Sequence, residues 1–411
     1  MTSHKFVLAL AAPAMLLSAC VHAPAADVVV VEPTPAPAAA AAGQAAMAMP
    51  QDRNALLWPR ETRAVAFQML DQFPQLAQAR TIPAGENPYP LPAGDPLDLG
   101  DYDLDAFMAS QQTAAIVVVH DGAVVFERYG LGFDATKRYT SFSVAKSLVS
   151  TLVGAAILDG DIGSVNDPMT QYIPALAGSA YDGVTIRDVL TMRSGIAWNE
   201  DYRDPNSDSA RFEWYTAPDG SDPVVDYMRR LERENEPGTR FHYVSGDTQL
   251  LGVLLRQATG KSLSEYLSEK IWQPFGMEQD ASWILREYGT EMAACCVQAS
   301  TRDMARFGLF VLGDGIAGGE RVVPEGWFAE ATSPIVSLSQ GRAGYGYQWW
   351  TRPNGVFMAS GIFGQSIFVD PARKLVIALN SNWVTPTDAQ SGRDEEAFYA
   401  AVQAAIDART R

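Results

Sequence analysis

Two clusters of β-forming residues sit at opposite ends of this chain, and what lies between them cannot continue a sheet. "TAAIVVVHDGAVVFERYG" (113–130) is two strand-like runs split by Asp121-Gly122, a pair suited to a tight hairpin turn. Near the other end "GYGYQWW", "GVFMASG", "QSIFVD" and "KLVIALNSN" are again short β-rich runs separated by turns. The stretch from about 156 to 284 reads as helical instead. In it Thr185 and Asp188, and likewise Ser262 and Glu265, stand at capping-box spacing. "STRDMARFGLFVLGDG" predicts a further helix ending at glycine, and Asp394 to Ala408 predicts a last one. The simplest architecture is one antiparallel sheet built from both chain ends, flanked by helices, with an all-helical lobe inserted. That is an α/β (α+β) chain with a sheet lobe at about 61–155 and 285–411 and a helical lobe at about 156–284. No period of 20 to 50 residues repeats, which excludes solenoids and propellers.

The first sixty residues are of another kind. Lys5, an apolar run from Phe6 to Leu17 too short to span a bilayer, and Leu17-Ser18-Ala19-Cys20 form a secretory leader. The cysteine stands where a bacterial lipoprotein signal carries the residue that becomes lipidated, so 1–19 reads as the signal and Cys20 as the anchor. A plain secretory signal cleaved after Ala19 is the alternative. Val21 in place of Asp leans toward the outer membrane by resemblance to lipoprotein sorting patterns. Residues 20–60, rich in Ala and Pro, read as a tether that leaves the folded domain facing the periplasm.

Charge narrows the partners. The formal net charge is -17, so no nucleic acid is expected, and anionic lipid would repel the surface; membrane contact comes through the lipid anchor only. A small-molecule substrate remains, and the oligomeric state is open. Cys295 and Cys296 are adjacent, closer than the usual disulfide span, and read as structural thiols before a redox or metal site.

The chemistry concentrates in "SFSVAKSLVSTLVGAAIL" (141–158), a helix that stops near Gly160. Of only six lysines in the chain, one, Lys146, stands among Val144, Ala145, Leu148 and Val149. Ser143 and Lys146 are three apart, on one helical face and within mutual reach. Burial lowers the pKa of a lysine, and an amine that sheds its proton easily can take one from a serine hydroxyl. No Gly-x-Ser-x-Gly elbow and no metal-binding His/Cys spacing occurs, and neither His120 nor His242 is marked for a Ser-His-Asp triad. No cofactor is implied. Two further pieces follow. Tyr243 and Ser245 stand where an extended stretch runs into a helix, and Ser360-Gly361-Ile362 lies in a β-rich run where glycine permits another backbone to approach. Tyr345, Tyr347 and Trp349 alternate as one face of a strand, core in the main, with Trp350 on the other.

Ser143-x-x-Lys146, Tyr243-x-Ser245 and Ser360-Gly361 resemble, in order and spacing, the serine β-lactamase and penicillin-binding-protein superfamily, in its class C-like branch. The likeness, through "HDGAVVFERYG", "LTMRSGIAWNEDYRDPNSD", "PGTRFHYVSGDTQLLG" and "TRDMARFGLF", looks closest to 6-aminohexanoate-dimer-hydrolase-like serine hydrolases. It implies the β-lactamase/transpeptidase-like fold, Ser143 as acylated nucleophile, Lys146 as its proton partner and Tyr243 as proton shuttle to the leaving group. It also implies an oxyanion hole from the backbone N–H groups of Ser143 and Ile362, with Tyr202, Ser245, Ser360 and Gly361 lining the substrate cleft. Two positions depart from the pattern: Ala359-Ser360-Gly361 replaces Lys-Thr-Gly, and Ser245 stands where most class C enzymes have Asn. The missing lysine would have met a substrate carboxylate, a bond worth about 1.5–3 kcal/mol. A small amide or ester is therefore expected ahead of a β-lactam or a D-Ala-D-Ala peptide. A non-catalytic envelope binding protein is the remaining alternative.

Overall fold

A computed structural model describes residues 55–72, 78–218, 220–341 and 343–409; the leader, Cys20 and most of the tether lie outside them. Eight antiparallel strands form the main sheet, in the order Ala123–Tyr129, Ala115–His120, Leu375–Asn380, Gln365–Asp370, Phe357–Gly361, Trp350–Thr351, Ala343–Tyr345 and Val336–Leu338. The N-terminal hairpin thus pairs directly with the last strand, through Val118 opposite Ile377. Both ends of the chain do build one sheet. Asp121 and Gly122 turn the hairpin with positive φ at both positions, 48° and 82°, the conformation that Asp-Gly tolerates and that matches strand twist. A second, four-stranded sheet joins Gln78–Ile82, Ala281–Leu285, Val297–Ala299 and Tyr139–Thr140.

Helices cover both faces of the main sheet. Val144–Asp159, Ser245–Thr259 and Thr301–Leu312 bury their apolar faces in one core with Val117, Ile367 and Val376. Ala389–Arg409, which begins five residues before the predicted start, packs on the other with Leu104–Gln111. Alternate residues of each central strand feed the two cores, Ile367 one and Phe368 the other, as the period-two pattern requires. Both expected capping boxes are present: Thr185 and Ser262 each accept from the backbone N–H three residues on, and Asp188 and Glu265 reach back. Gly160 ends the Val144–Asp159 helix at φ 86°.

Two expectations need correction. "GYGYQWW" is two strands, not one, broken by a turn at Gln348 with φ 62°; Tyr345, Tyr347 and Trp349 are buried, and it is Trp350 that reaches the cleft. Cys295 and Cys296 are joined as a disulfide across a Cα–Cα distance of 3.7 Å rather than standing as thiols. Cys296 adopts φ 76°, a left-handed turn that sequence spacing does not reveal.

Among the described residues no helix is long and apolar enough to cross a membrane.

Candidate active site

Ser143 caps the helix Val144–Asp159 at its N-terminus, directly after Phe142, whose φ of 42° swings the chain from the strand Tyr139–Thr140 into the helix. The turn is fixed by Ser141, whose N–H donates to the Val297 carbonyl at 2.8 Å and whose Oγ accepts from the Val297 N–H at 3.0 Å. Ser143 is partly exposed, as a reacting hydroxyl must be.

Lys146, one turn on, is 2% exposed. Its Nζ donates to Ser143 Oγ at 3.1 Å and to the Ala294 carbonyl at 2.9 Å. That carbonyl is held in place: Gln249 Oε1 accepts from the Ala293 N–H at 2.9 Å, and Trp283 Nε1 donates to the carbonyls of Met292 and Cys295. Among the described residues no carboxylate pairs directly with the amine. Burial lowers its pKa from 10.5 to about 8, against the opposing pull of Glu200 and Glu213. A neutral fraction is therefore available near physiological pH.

Tyr243 closes the group. Lys146 Nζ lies 5.1 Å from the centroid of its ring, and the ring stacks on Trp350 at 6.0 Å between centroids. Burial, reinforced by Glu200, drives the phenol pKa far above 10, while a hydrogen bond with Ser143 pulls the other way. The phenol keeps its proton, which makes it a donor.

Gly361 ends the strand Phe357–Gly361. That strand is internal to the sheet only as far as Met358, which pairs with Trp350; beyond it, the side facing Ser143 carries no strand. A Cβ at Gly361 would sit 2.7 Å from the Ser141 carbonyl oxygen and 3.1 Å from the Ser143 nitrogen, so only glycine lets the strand come this close. Among the described residues the N–H groups of Ser143 and Ile362 have no protein acceptor. They sit on adjoining backbone and line one cleft, the arrangement a developing oxyanion needs.

The remaining predicted residues meet around a carboxylate that sequence reasoning did not single out. Glu200 accepts from Ser245 Oγ at 2.5 Å, from the Ser245 N–H at 3.0 Å and from Tyr202 OH at 2.7 Å, and also from the indole of Trp198. Ser245, where an Asn would present an amide, thus serves to hold an acid. The signal was in "WNEDY", but it needed the three-dimensional meeting of two segments to be read. Ser360 lines the cleft beside Gly361 with Arg203, whose guanidinium lies 3.6 Å from Asp201. His242 Nε2, when it carries the ring proton, donates to the Trp198 carbonyl at 2.8 Å, and the ring lines neither pocket at Ser143. Ala55, Leu56 and Trp58, placed by composition on the tether side of residue 60, line the site.

Comparison with known proteins gives the family and the fold. The sequence profile described as Beta-lactamase matches residues 101–401. The 6-aminohexanoate-dimer hydrolase of Paenarthrobacter ureafaciens is 34% identical over 300 residues, 69% of this chain and 76% of that one. Among solved structures, a Bacillus anthracis protein provisionally named a 6-aminohexanoate-dimer hydrolase superposes with a TM-score of 0.72 at 23% identity, over 84% of this chain and 93% of that one. A family VIII carboxylesterase superposes with a TM-score of 0.57 at 20% identity, over 75% and 99%. These last two likenesses concern the fold.

Proposed function

The chain belongs to the beta-lactamase family of serine hydrolases, and from that premise we propose that it cleaves small amides or esters through an acyl-enzyme on Ser143. One observation carries the reading: an amine shielded from water lies 3.1 Å from the Ser143 hydroxyl, its pKa lowered to about 8. Neutral Lys146 takes the Ser143 proton as Oγ bonds to the substrate carbonyl carbon. The N–H groups of Ser143 and Ile362 stabilise the oxyanion. Collapse of the tetrahedral intermediate breaks the bond to the leaving group, which takes a proton from Tyr243; the phenol is replenished from the lysine ammonium through water. Water then attacks the acyl-enzyme by the same steps in reverse, which frees the acid and restores Ser143.

The leaning toward open-chain amides and esters rests on Ala359, which provides no cation on the strand beside the oxyanion site, and on the Paenarthrobacter relative, whose name denotes an amide-dimer hydrolase. The alternative of a β-lactamase or carboxypeptidase is tested by turnover of a chromogenic cephalosporin, with slow or no hydrolysis expected. For the central reading, a fluorophosphonate should add mass to Ser143 and to no residue in Ser143→Ala. An unlabelled Ser143 after prolonged exposure would overturn it, and would favour a binding protein instead.

We also propose that the mature protein is held by a lipid on Cys20 in the outer membrane, facing the periplasm; the lipobox-like Leu17-Ser18-Ala19-Cys20 supports this. Labelled palmitate should enter the protein, and Cys20→Ala should release it to the soluble fraction.

A further inference from the structure

The cleft divides at Ser143 into two arms of different chemistry. One is a cavity of about 490 Å3, within the range of about 300–1,000 Å3 usual for small-molecule sites, and Lys146 lines it while Tyr243 does not. The other arm is lined by Tyr243, Trp350 and Ser360, and not by Lys146. Ser143 and Ile362, which would hold the reacting carbonyl, belong to both. A proton donor has to reach the departing atom, so the leaving group extends into the arm with Tyr243. The acyl portion extends into the arm with Lys146.

That acyl arm is walled by Leu56, Trp58, Leu70, Trp198, Phe212 and Trp214. Trp214 is 46% exposed, large for an indole without a pocket to serve. Three of the six come from residues 55–72, ahead of the region matched by the family profile. This segment is fastened to the body of the protein. Arg63 donates to the Trp383 carbonyl at 2.8 Å and the Val384 carbonyl at 3.0 Å and lies 4.4 Å over the ring of Phe363. Arg60 donates to the Asn382 carbonyl at 2.7 Å. Phe67 is fully buried, its ring 4.9 Å from that of Phe142, the residue before the nucleophile.

Charge in the arm leans acidic. Glu200, Glu213 and Glu287 line it; of its two cations, Lys146 is held by Ser143 Oγ and the Ala294 carbonyl at the mouth, and Arg286 is spent on Glu213 at 3.4 Å and on the Phe212 carbonyl at 3.1 Å.

We propose that this arm is an acyl-chain subsite that selects apolar acyl groups of medium length without a terminal carboxylate, and that residues 55–72 form its specificity-determining wall. The inference rests on Ser143 being the acylated residue. Burying a methylene favours the longer substrate by about fourfold. Between an acetyl and a hexanoyl ester of one alcohol, kcat/KM therefore rises by at least about tenfold, even if only part of each methylene is enclosed.

The test uses the full-length protein and p-nitrophenyl esters of acetic, butyric, hexanoic and octanoic acids, with the half-ester of adipic acid as the charged counterpart of hexanoate. The expected result is a rise to hexanoate or beyond, and a fall of at least about tenfold for the adipic half-ester, since a carboxylate enters among carboxylates without a free partner. Leu56→Ala and Trp214→Ala, one from each of two separate segments lining the arm, should each lower the hexanoate-to-acetate ratio about threefold to tenfold. A flat profile in the native protein, or an unchanged ratio in both variants, overturns the proposal. An ethyl fluorophosphonate keeps the two readings apart: labelling of Ser143 with a flat profile removes the subsite and leaves the mechanism standing. Absence of both labelling and ester turnover removes the mechanism, and octanoate binding to Ser143→Ala then decides the subsite alone. Titration of tryptophan fluorescence from the arm supports it when saturable and overturns it when absent.

Discussion

Each face of the main sheet carries a serine, an ionisable group and a tyrosine packed together, with the ionisable group removed from water. On one face these are Ser143, Lys146 and Tyr243. On the other Glu395, which is 5% exposed, accepts from Ser366 Oγ at 3.1 Å and Tyr399 OH at 2.8 Å. Burial perturbs both centres in the way desolvation dictates, against the charged form: Lys146 falls to about 8, and Glu395 rises from 4.5 to about 7. Only one borders the cleft at Ser143. Lys146 and Ser143 line the cleft, whereas none of Ser366, Glu395 and Tyr399 lines either pocket at Ser143. A pKa displaced by desolvation thus marks burial, and access for a substrate is what separates a reactive centre from a structural one.

Experiments that set the two centres against each other should show it. The largest effect is expected from Lys146→Met, which removes the base and should lower kcat/KM by about a thousandfold or more, with Glu395→Gln staying within about threefold of native. In stability the order reverses, since an amine taken out of water is costly. Lys146→Met should raise the unfolding free energy at pH 7 by about 1–3 kcal/mol, read by urea denaturation. Loss of stability there would show the amine to be structural.

The pH profiles differ in sign. Between pH 8 and 10.5 the unfolded chain binds a proton at Lys146 that the folded chain has lost, so stability from this group rises with pH across that window and its penalty is complete below 8. Glu395 does the opposite: the folded chain holds the extra proton between pH 4.5 and 7, so its contribution falls as pH rises through that window. Activity should follow Lys146 alone, with kcat/KM rising to a plateau above about pH 8 in native protein and in Glu395→Gln alike. The smallest effect concerns Glu200, whose charge raises the lysine pKa; Glu200→Gln should move the rising limb to lower pH by a fraction of a unit. A shift upward would mean that Glu200 acts through the Ser245 contact and not through its field.

The sequence made one of these centres legible and hid the other for a geometric reason. Ser143 and Lys146 share one helical turn, so spacing alone puts them in reach, and the aliphatic neighbours announce the burial. Ser366 and Glu395 are joined only by docking of the last helix on the sheet, and no local pattern reports it. Tyr243 and Gly361 were found through likeness to a family, because their nearness to Ser143 depends on the whole sheet. Glu200 escaped since its four donors come from two segments, and the adjacent cysteines were misread because a left-handed turn at Cys296 is invisible in spacing. The hairpin at Asp121-Gly122 and the two capping boxes were readable for the opposite reason, each being complete within a few residues.

Phe67, seated between Phe142 and Phe363 with ring centroids 4.9 and 5.3 Å away, has a practical consequence. A version of this protein trimmed to the residues the family profile matches, starting at residue 101, would retain Ser143, Lys146, Tyr243 and Ile362. It would also lose the aromatic wedge against Phe142, the residue before Ser143, and the two arginine rivets beside it, and substrate choice should loosen before turnover fails.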